Sequence, residues 1–285
     1  MTTTTTPSSD LSRLFARQIA EKKIELPILP TVATEVMSLC QQDSTDAQKL
    51  SGVIHRDQTI ASNVLRVANS AAYVGQMPCA SLQQAVSRLG LQLITEIAMA
   101  VSVRGRVFGN AACADLLKQL WRHSVITGFY TKEIARLRRR NVEIAFLCGL
   151  LHDIGKAVLL NNVDRAIGKT AVELPMDDLT AALHEQHAAA GALLATLWKL
   201  PEQIGEAMVY HHDFDQAPKF ADTAMMVCLA DLLSHMVSPD PNEPPMTADA
   251  IAQHPVLAAL NIYPDQLQEL ANKGEKAQQV AEGMS

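Results

Sequence analysis

The sequence predicts an all-α protein, and three observations favour that fold class. Hydrophobic residues make up 48% of the 285 residues, whereas aromatic residues make up only 4%. Burial must therefore come mainly from Ala, Leu, Val, Ile and Met, a composition that favours packed helices over a strand-rich sandwich. Apolar residues also recur at the helical spacing of three and four positions. Finally, the first half of the chain shows no alternating strand pattern with hairpin turns.

The first half divides into helices separated by turn residues. Predicted helices cover residues 11–23, 32–42, 54–72, 81–89 and 93–107, with further helix starts at Asp46 and Ser51, after a flexible tail that reaches about Ser9. Pro27 and Pro30 hold an extended segment, after which Thr31 can cap the second helix. Ser81 is a candidate cap, and Gly90 is expected to end the helix that Ser81 begins.

The second half is predicted to be helical as well. Its predicted helices cover residues 114–139, 142–150, 157–161, 177–185, 188–198, 201–212 and 220–237. The segment from Pro239 to Pro245 holds four prolines and is interpreted as a linker. Shorter and more polar helices are expected within residues 247–281.

Charge and composition exclude several classes of protein. Lys and Arg number 24 against 30 Asp and Glu, a net charge of −6, so no direct nucleic-acid binding is expected. The basic run Arg136–Arg140 is interpreted as a solvated helix end. Five scattered cysteines without a CxxC pair indicate reduced thiols. No secretory signal or uninterrupted membrane span is visible, so we expect a cytoplasmic protein without a membrane partner.

One group of side chains indicates chemistry. Most of the nine histidines lie after residue 120. The candidate site residues are His123, His152, Asp153, His184, His187, His211, His212 and Asp231. Imidazole and carboxylate ligands suit iron, manganese, zinc or magnesium. An Asp directly after a His can bridge two ions, and two ions about 3.5–4 Å apart would polarise a phosphoryl group and activate a water.

Each histidine also has a simpler interpretation. A lone His on a half-apolar helix is more often a satisfied core or surface group than a ligand. We adopt that interpretation for His55, His235 and His254, and we expect His184 at the surface. The joint pattern is harder to explain in this way, because a core rich in Ala and Leu would have to satisfy several imidazoles and carboxylates at once.

Short motifs then suggest a family. The string LHDIGK at 151–156, preceded by WRHS at 121–124, resembles the HD superfamily of metal-dependent phosphohydrolases. Four further segments are similar to signatures of the HDOD domain. They are LPILP at 26–30, LRVANSA at 65–71, AVSRLG at 85–90, and WKLP at 198–201 followed by YHH at 210–212.

The resemblance covers residues 22–238. It implies an N-terminal helical part, 22–110, packed on an HD-like helical bundle, 111–238, with a tail and first helix at 1–21 and an open role for 239–285. Members are usually regarded as bacterial signal-transduction modules, so the expected partner is a signalling protein or a nucleotide.

The resemblance also implies a ligand set. The HD pattern assigns one divalent ion to His123, His152, Asp153 and Asp231. The related HD-GYP arrangement adds a second ion through Asp153, His187, His211 and His212. Lys156 matches a lysine that contacts phosphate, which makes Lys156 and Asp153 the catalytic candidates.

Two departures argue against cyclic-di-GMP hydrolysis and against a third ion. Asp213–Gln216 stands where the Gly-Tyr-Pro signature would follow, and Gln119 replaces a glutamate that supports a third metal in some relatives. Three hypotheses remain open: a regulatory HDOD protein with an intact metal site, a metal-dependent phosphohydrolase acting on a nucleotide or phosphate ester, and a purely structural cluster.

Overall fold

The all-α fold class is confirmed. The computed structural model describes residues 7–40, 47–73, 75, 77–109, 113–167, 175–239 and 245–285, and these ranges contain helices and no strand. The helices of the first half are α1 Pro7–Ala20, α2 Thr31–Cys40, α3 Ala47–His55, α4 Gln58–Ala68 and α5 Leu82–Val107. Those of the second half are α6 Ala114–Leu137, α7 Val142–Leu151, α8 Ile154–Ile167, α9 Met176–Trp198, α10 Glu202–Tyr210 and α11 Ala221–Val237. The C-terminal helices are α12 Ala248–Ala252, α13 Pro255–Ala259, α14 Pro264–Ala271 and α15 Gly274–Gly283.

Helix α1 packs against α8 and α9 of the second half. Phe15 is fully buried in that contact region, and the Ser12 hydroxyl donates to the Glu185 carboxylate at 2.5 Å. The helix begins at Pro7, earlier than the predicted start at residue 11, and proline is well suited to a first helical turn. The flexible tail predicted up to Ser9 is therefore wrong for residues 7–9, and residues 1–6 lie outside the described ranges.

Local capping explains how the N-terminal helices are divided. The helix predicted over 54–72 is two helices, because the Asp57 carboxylate accepts from the Ile60 N–H at 3.0 Å and starts α4. Ser51, predicted to begin a helix, lies inside α3. The Ser81 hydroxyl caps α5 as predicted. Gly90 interrupts α5 with φ 82°, a conformation that side chains with a Cβ rarely adopt.

The second half is a bundle in which α6 packs on α7 and α11, and α8 packs on α9. Helix α9 is continuous, so the break predicted between residues 185 and 188 is wrong. Three successive alanines follow His187 and carry the helix on. Helix α8 begins three residues earlier than predicted, directly after the His152–Asp153 turn, and it extends to Ile167.

The C-terminal helices pack on α6 and α11 and also reach the N-terminal part. The Trp121 indole N–H donates to the Met284 carbonyl at 3.1 Å, and the Arg66 guanidinium donates to the Gly283 carbonyl at 3.3 Å. These helices therefore contact both parts of the protein. Of the predicted proline-rich linker, residues 240–244 lie outside the described ranges.

Two stretches, Leu82–Val107 and Ile144–Ala166, are long and apolar enough to be tested as membrane spans. In the first, 56% of the most apolar window is buried within the protein, and in the second 83%. Neither is one regular helix, because Gly90 breaks the first and the His152–Asp153 turn interrupts the second. Both have the burial expected of core helices.

Candidate metal centre

The predicted ligands come from separate helices and meet in the second half of the chain. His123 lies in α6, His187 in α9 and Asp231 in α11. The other ligands lie at helix ends: His152 and Asp153 form the turn between α7 and α8, and His211 and His212 directly follow α10. We call these seven residues together the metal centre.

A close helix contact holds this arrangement together. A Cβ built on Gly155 would stand 2.8 Å from the His187 carbonyl carbon and 2.9 Å from the Gly191 nitrogen, well inside van der Waals contact. Glycine at this position therefore lets α8 approach the backbone of α9 at the residue that carries a candidate ligand.

Four ligand atoms surround one point in what we call the His123 group, formed by His123, His152, Asp231 and Oδ2 of Asp153. The Nε2 atom of His123 lies 3.0 Å from Oδ1 of Asp231 and 3.3 Å from Nε2 of His152. Nε2 of His152 lies 3.4 Å from Oδ2 of Asp153 and 3.5 Å from Oδ1 of Asp231. These separations suit four ligands at about 2.0–2.2 Å from a common ion.

The other Asp153 oxygen faces a second set, the His187 group, formed by His187, His211, His212 and Oδ1 of Asp153. Nε2 of His187 lies 3.4 Å from Oδ1 of Asp153 and 3.4 Å from Nε2 of His211. His212 completes a triad whose ligand atoms all lie within 4.8 Å of one another. The two oxygens of one carboxylate are thus divided between two groups of imidazoles.

Hydrogen bonds on the far side of each ring fix the tautomers. Nδ1 of His152 faces the Gly149 carbonyl at 2.8 Å, and Nδ1 of His187 faces the His184 carbonyl at 2.7 Å. Nδ1 of His211 faces a third carbonyl, that of Ala207, at 3.1 Å. A carbonyl only accepts, so each Nδ1 carries the proton and the Nε2 lone pair of the neutral ring is directed into the centre.

The protonation equilibria follow from burial and from the two carboxylates. Burial lowers the pKa of His187 to about 4, and burial also lowers the pKa of His211 well below its usual value. Burial alone would also lower the pKa of His152, but Asp153 and Asp231 outweigh it and raise this value to about 10. Despite their burial, the pKa values of both carboxyls lie well below the usual range because of neighbouring cations and imidazoles.

These residues fit a divalent cation. Oδ1 of Asp153 is buried and accepts no hydrogen bond from the described part of the chain, and Oδ1 of Asp231 has only imidazole nitrogens beside it, that of His123 at 3.0 Å. Two pairs of Nε2 atoms face each other at 3.3 and 3.4 Å. In the pair of His187 and His211 both Nδ1 atoms carry the proton, so the facing lone pairs are satisfied by a cation between them, whether a proton or a metal.

A pocket of about 140 Å³ opens on the centre between α6, α8, α9 and α11. His123, Asp153 and Lys156 form part of its wall. The Lys156 ammonium donates to Oδ2 of Asp153 at 2.6 Å, so this lysine is held beside the shared carboxylate. Gln119 also lines the pocket.

Two residues at the centre were missed or misjudged from the sequence. His235, interpreted as an ordinary core or surface histidine, has its Nε2 atom 3.5 Å from Oδ1 of Asp231 and its ring 4.7 Å from that of His123. Ser234 lies with its hydroxyl 3.1 Å from Nδ1 of His123. Their positions three and four residues after Asp231 place them on one helix face, which was the available signal.

The remaining histidines lie as expected or outside the centre. His184 is exposed, and its ring lies 5.1 Å from that of His212 at the rim. His55 is exposed at the end of α3, and His254 caps α13. Neither contributes to the metal-ligand groups formed by the described residues.

Comparison with known proteins gives the family. The HDOD domain matches residues 26–214. An uncharacterised protein of Treponema pallidum (strain Nichols) is 27% identical over 213 residues, which are 72% of this chain but only 41% of that protein. The chain thus spans less than half the length of this relative.

Two solved structures share the fold. An HDOD domain protein of unknown function from Geobacter sulfurreducens has a TM-score of 0.73 at 21% identity, with 97% of this chain and 98% of that chain covered. A Shewanella amazonensis SB2B protein, provisionally called a metal-dependent phosphohydrolase, has a TM-score of 0.71 at 17% identity, with 98% and 99% covered. At these identities the likeness establishes the fold alone. The match to the HDOD domain covers more than half of the chain, and the chain therefore belongs to the HDOD domain family.

Proposed function

We propose that this chain is an HDOD-type bacterial signal-transduction protein that holds two divalent cations in the metal centre. One ion would be bound by His123, His152, Asp153 and Asp231, and the other by the His187 group. Iron, manganese, zinc and magnesium are the candidate ions, since all accept imidazole or carboxylate ligands. The partner of the signalling function would be a separate protein or a nucleotide.

The observation that carries this proposal is the division of the Asp153 carboxylate. Its Oδ2 atom lies 3.4 Å from Nε2 of His152, and its Oδ1 atom lies 3.4 Å from Nε2 of His187. A carboxylate in this position can serve two ions at once, while lone pairs fixed by Nδ1 hydrogen bonds complete each group. A purely structural cluster would instead be expected to pair each buried oxygen with a donor, and Oδ1 of Asp153 has none among the described residues.

Metal stoichiometry tests the proposal directly. Elemental analysis of purified protein should find up to two ions per chain. The His187→Ala variant should lose one of them, and the Asp153→Ala variant should lose both, because its carboxylate is shared. His55→Ala is a matched control, since His55 is exposed on α3, outside the metal centre. Wild-type protein that contains no divalent ion, and gains none on incubation with manganese, iron, zinc or magnesium, would refute the proposal.

A second candidate function, a metal-dependent phosphohydrolase acting on a nucleotide or phosphate ester, is favoured by the pocket. The pocket opens on both Asp153 and Lys156, so a phosphate group that enters it would meet the ammonium group of Lys156. Bound divalent ions would polarise the phosphoryl group and supply an activated water. Lys156 would bind a phosphate oxygen and can pass a proton to the leaving group.

The sequence after His212 argues against one substrate, cyclic-di-GMP. Asp213, Asp215 and Gln216 are exposed in the segment where the Gly-Tyr-Pro signature of cyclic-di-GMP hydrolases would follow, so that substrate is not proposed. A phosphatase and nucleotide screen with added manganese or iron separates the two functions. Turnover that disappears in Lys156→Gln while both ions remain bound would support the enzyme, and bound metal without turnover would support the regulatory function.

A further inference from the structure

A second pocket, of about 450 Å³, lies in the N-terminal part between α4 and the C-terminal end of α5. Three arginines line it: Arg66 from α4, and Arg104 and Arg106 from the last turn of α5. No residue of its wall belongs to the pocket at the metal centre. Arg66 belongs to the LRVANSA motif, which contributes no residue to the metal centre.

The charges of this pocket are not balanced within the described ranges. None of the three arginines lies within 4.0 Å of a carboxylate there, whereas Arg138 and Arg140 both pair with Asp222. One acidic residue, Asp57, lines the pocket. Its Oδ1 atom accepts the Ile60 N–H at 3.0 Å and so caps α4.

Arg104 is the least exposed of the three, because Arg66 and Arg106 are both exposed. It is partly buried, and burial, together with the positive charge of Arg66, lowers its pKa. Each arginine lies near the C-terminal end of its own helix, where the helix dipole favours a cation. The dipole explains an arginine at each helix end, but it does not explain why the C-terminal ends of α4 and α5 meet at one pocket, where their arginines repel each other. An anion between them would remove that repulsion.

The shape and the other wall residues indicate what kind of anion fits. Planar guanidinium groups bind phosphate oxygens in pairs of hydrogen bonds. Ile60, Val101 and Phe108 provide apolar wall beside them. A volume of about 450 Å³ falls within the range of roughly 300–1,000 Å³ typical of small-molecule sites.

We infer that the pocket between α4 and α5 binds the phosphate groups of a small phosphorylated ligand of nucleotide size, at a site separate from the metal centre. Arg104 and Arg66 hold the phosphate, Arg106 lies at the pocket rim, and the apolar wall receives the rest of the ligand. The site gives the N-terminal part a ligand-binding role independent of the proposed metal binding.

Calorimetric titration of the full chain with pyrophosphate and with ADP tests this inference. Wild-type protein should bind at least one of them, and Arg104→Gln should weaken that binding at least tenfold. Arg104→Lys should recover only part of it, because an ammonium cannot form the paired hydrogen bonds of a guanidinium. Tighter binding of ADP than of pyrophosphate would assign the apolar wall to the nucleoside, and equal binding would limit the site to the phosphates.

Two controls keep the result specific. Arg165→Gln removes the same charge from an exposed arginine that pairs with Glu25, and it should bind like the wild type. Lys156→Gln separates the two pockets, because Lys156 lines only the one at the metal centre: binding between α4 and α5 should persist in this variant, and only binding at the metal centre should be lost. Arg106→Gln should weaken binding several-fold without affecting folding, since Arg106 is exposed. The inference is overturned if neither probe binds at millimolar concentration, or if Lys156→Gln abolishes binding while Arg104→Gln does not.

Discussion

The Nε2 atoms of His187 and His211 face each other at 3.4 Å, while the Nδ1 atom of each ring is held by a backbone carbonyl. Two neutral imidazoles in this arrangement direct their lone pairs at each other. The repulsion is relieved when a cation lies between the rings. The two rings are therefore oriented so that both Nε2 atoms could bind one ion.

Metal removal should accordingly destabilise the protein. A ligand that binds only the folded state at about 100 times its Kd adds roughly 2.7 kcal/mol to the free energy of unfolding. We expect the Tm to fall when a chelator removes the ion and to recover when the ion is restored. Asp153→Asn should bind metal more weakly and lose most of this response, whereas His55→Ala should keep it. A Tm that stays unchanged after proven loss of metal would contradict the expectation.

Gly155→Ala should disturb both stability and metal binding. The added Cβ would approach the backbone of His187 and Gly191 far inside normal contact distance, so α8 and α9 must separate. We expect a loss of at least about 2 kcal/mol, in the range of overpacked sites, and loss of the ion bound by His187.

The matched control for that substitution is Gly52→Ala on α3, where a Cβ meets no atom within 4 Å. An exposed helical glycine replaced by alanine should gain roughly 0.5–1 kcal/mol. Chemical denaturation and elemental analysis of both variants distinguish the two outcomes. Equal effects of the two substitutions would show that the close approach at Gly155 is not needed.

Much of the fold could be predicted because its signals are local. Ser81 precedes a helical pattern and caps α5, and Gly90 has the positive φ that only glycine adopts easily. Asp57 is an equally local signal, an N-cap residue before α4. The helix predicted over residues 54–72 ignores this cap and therefore joins the end of α3 to α4. By contrast, the contact between Trp121 and Met284 joins residues 163 positions apart, and no local pattern indicates such a partner.

The metal centre likewise combines features that local sequence signals predict with features that depend on long-range packing. The motif around His152 and Asp153 identified the residue types, whereas the separate directions of the two Asp153 oxygens depend on how the six helices α6 to α11 pack. His235 was set aside because a histidine is usually an ordinary core or surface residue, although its spacing of four from Asp231 placed it on the same face. Its distance of 3.5 Å from Asp231 required the three-dimensional arrangement.

Breaking a buried charge pair between the two parts of the protein should strongly destabilise it. The Lys132 ammonium on α6 lies 2.8 and 2.7 Å from the two oxygens of Glu96 on α5, and Glu96 is 2% exposed. Lys132→Ala would remove the ammonium that lies against both oxygens of a buried carboxylate, and removing one partner of a buried ion pair typically costs about 3–5 kcal/mol. Urea denaturation should show this loss, and the double variant Lys132→Met with Glu96→Leu should recover most of it.

An exposed pair provides the comparison. Arg17 and Glu21 form an ion pair on α1 at 2.8 Å, with 73% of the arginine side chain exposed. Water and salt screen an exposed pair of this type, so Arg17→Ala should change the unfolding free energy very little. If Lys132→Ala lowered the free energy of unfolding no more than Arg17→Ala does, the burial of Glu96 would not make loss of its partner costly.

The metal-free protein should lose stability as the pH falls from 6.5 to 5. Burial lowers the pKa of His187 from 6.5 to about 4, so within this interval the unfolded chain takes up a proton that the folded chain does not. The free energy of unfolding then decreases with decreasing pH, by on the order of 1–2 kcal/mol for His187 alone. The low pKa of His211 acts in the same direction. The charged form of His152, with a pKa of about 10, gives most of its stabilisation already at pH 6.5 and offsets only a small part of this loss.

Urea unfolding of chelator-treated protein at the two pH values measures this effect. His187→Gln should reduce the pH dependence, because glutamine takes up no proton in either state, whereas His55→Gln should leave it as in the wild type. Added divalent metal should steepen the dependence in wild-type protein, since an ion competes with protons for the same imidazole nitrogens. Equal unfolding free energies at pH 6.5 and 5 for the metal-free wild type would mean that His187 is not held neutral in the folded protein, and the lone-pair geometry inferred for its ring would then be wrong.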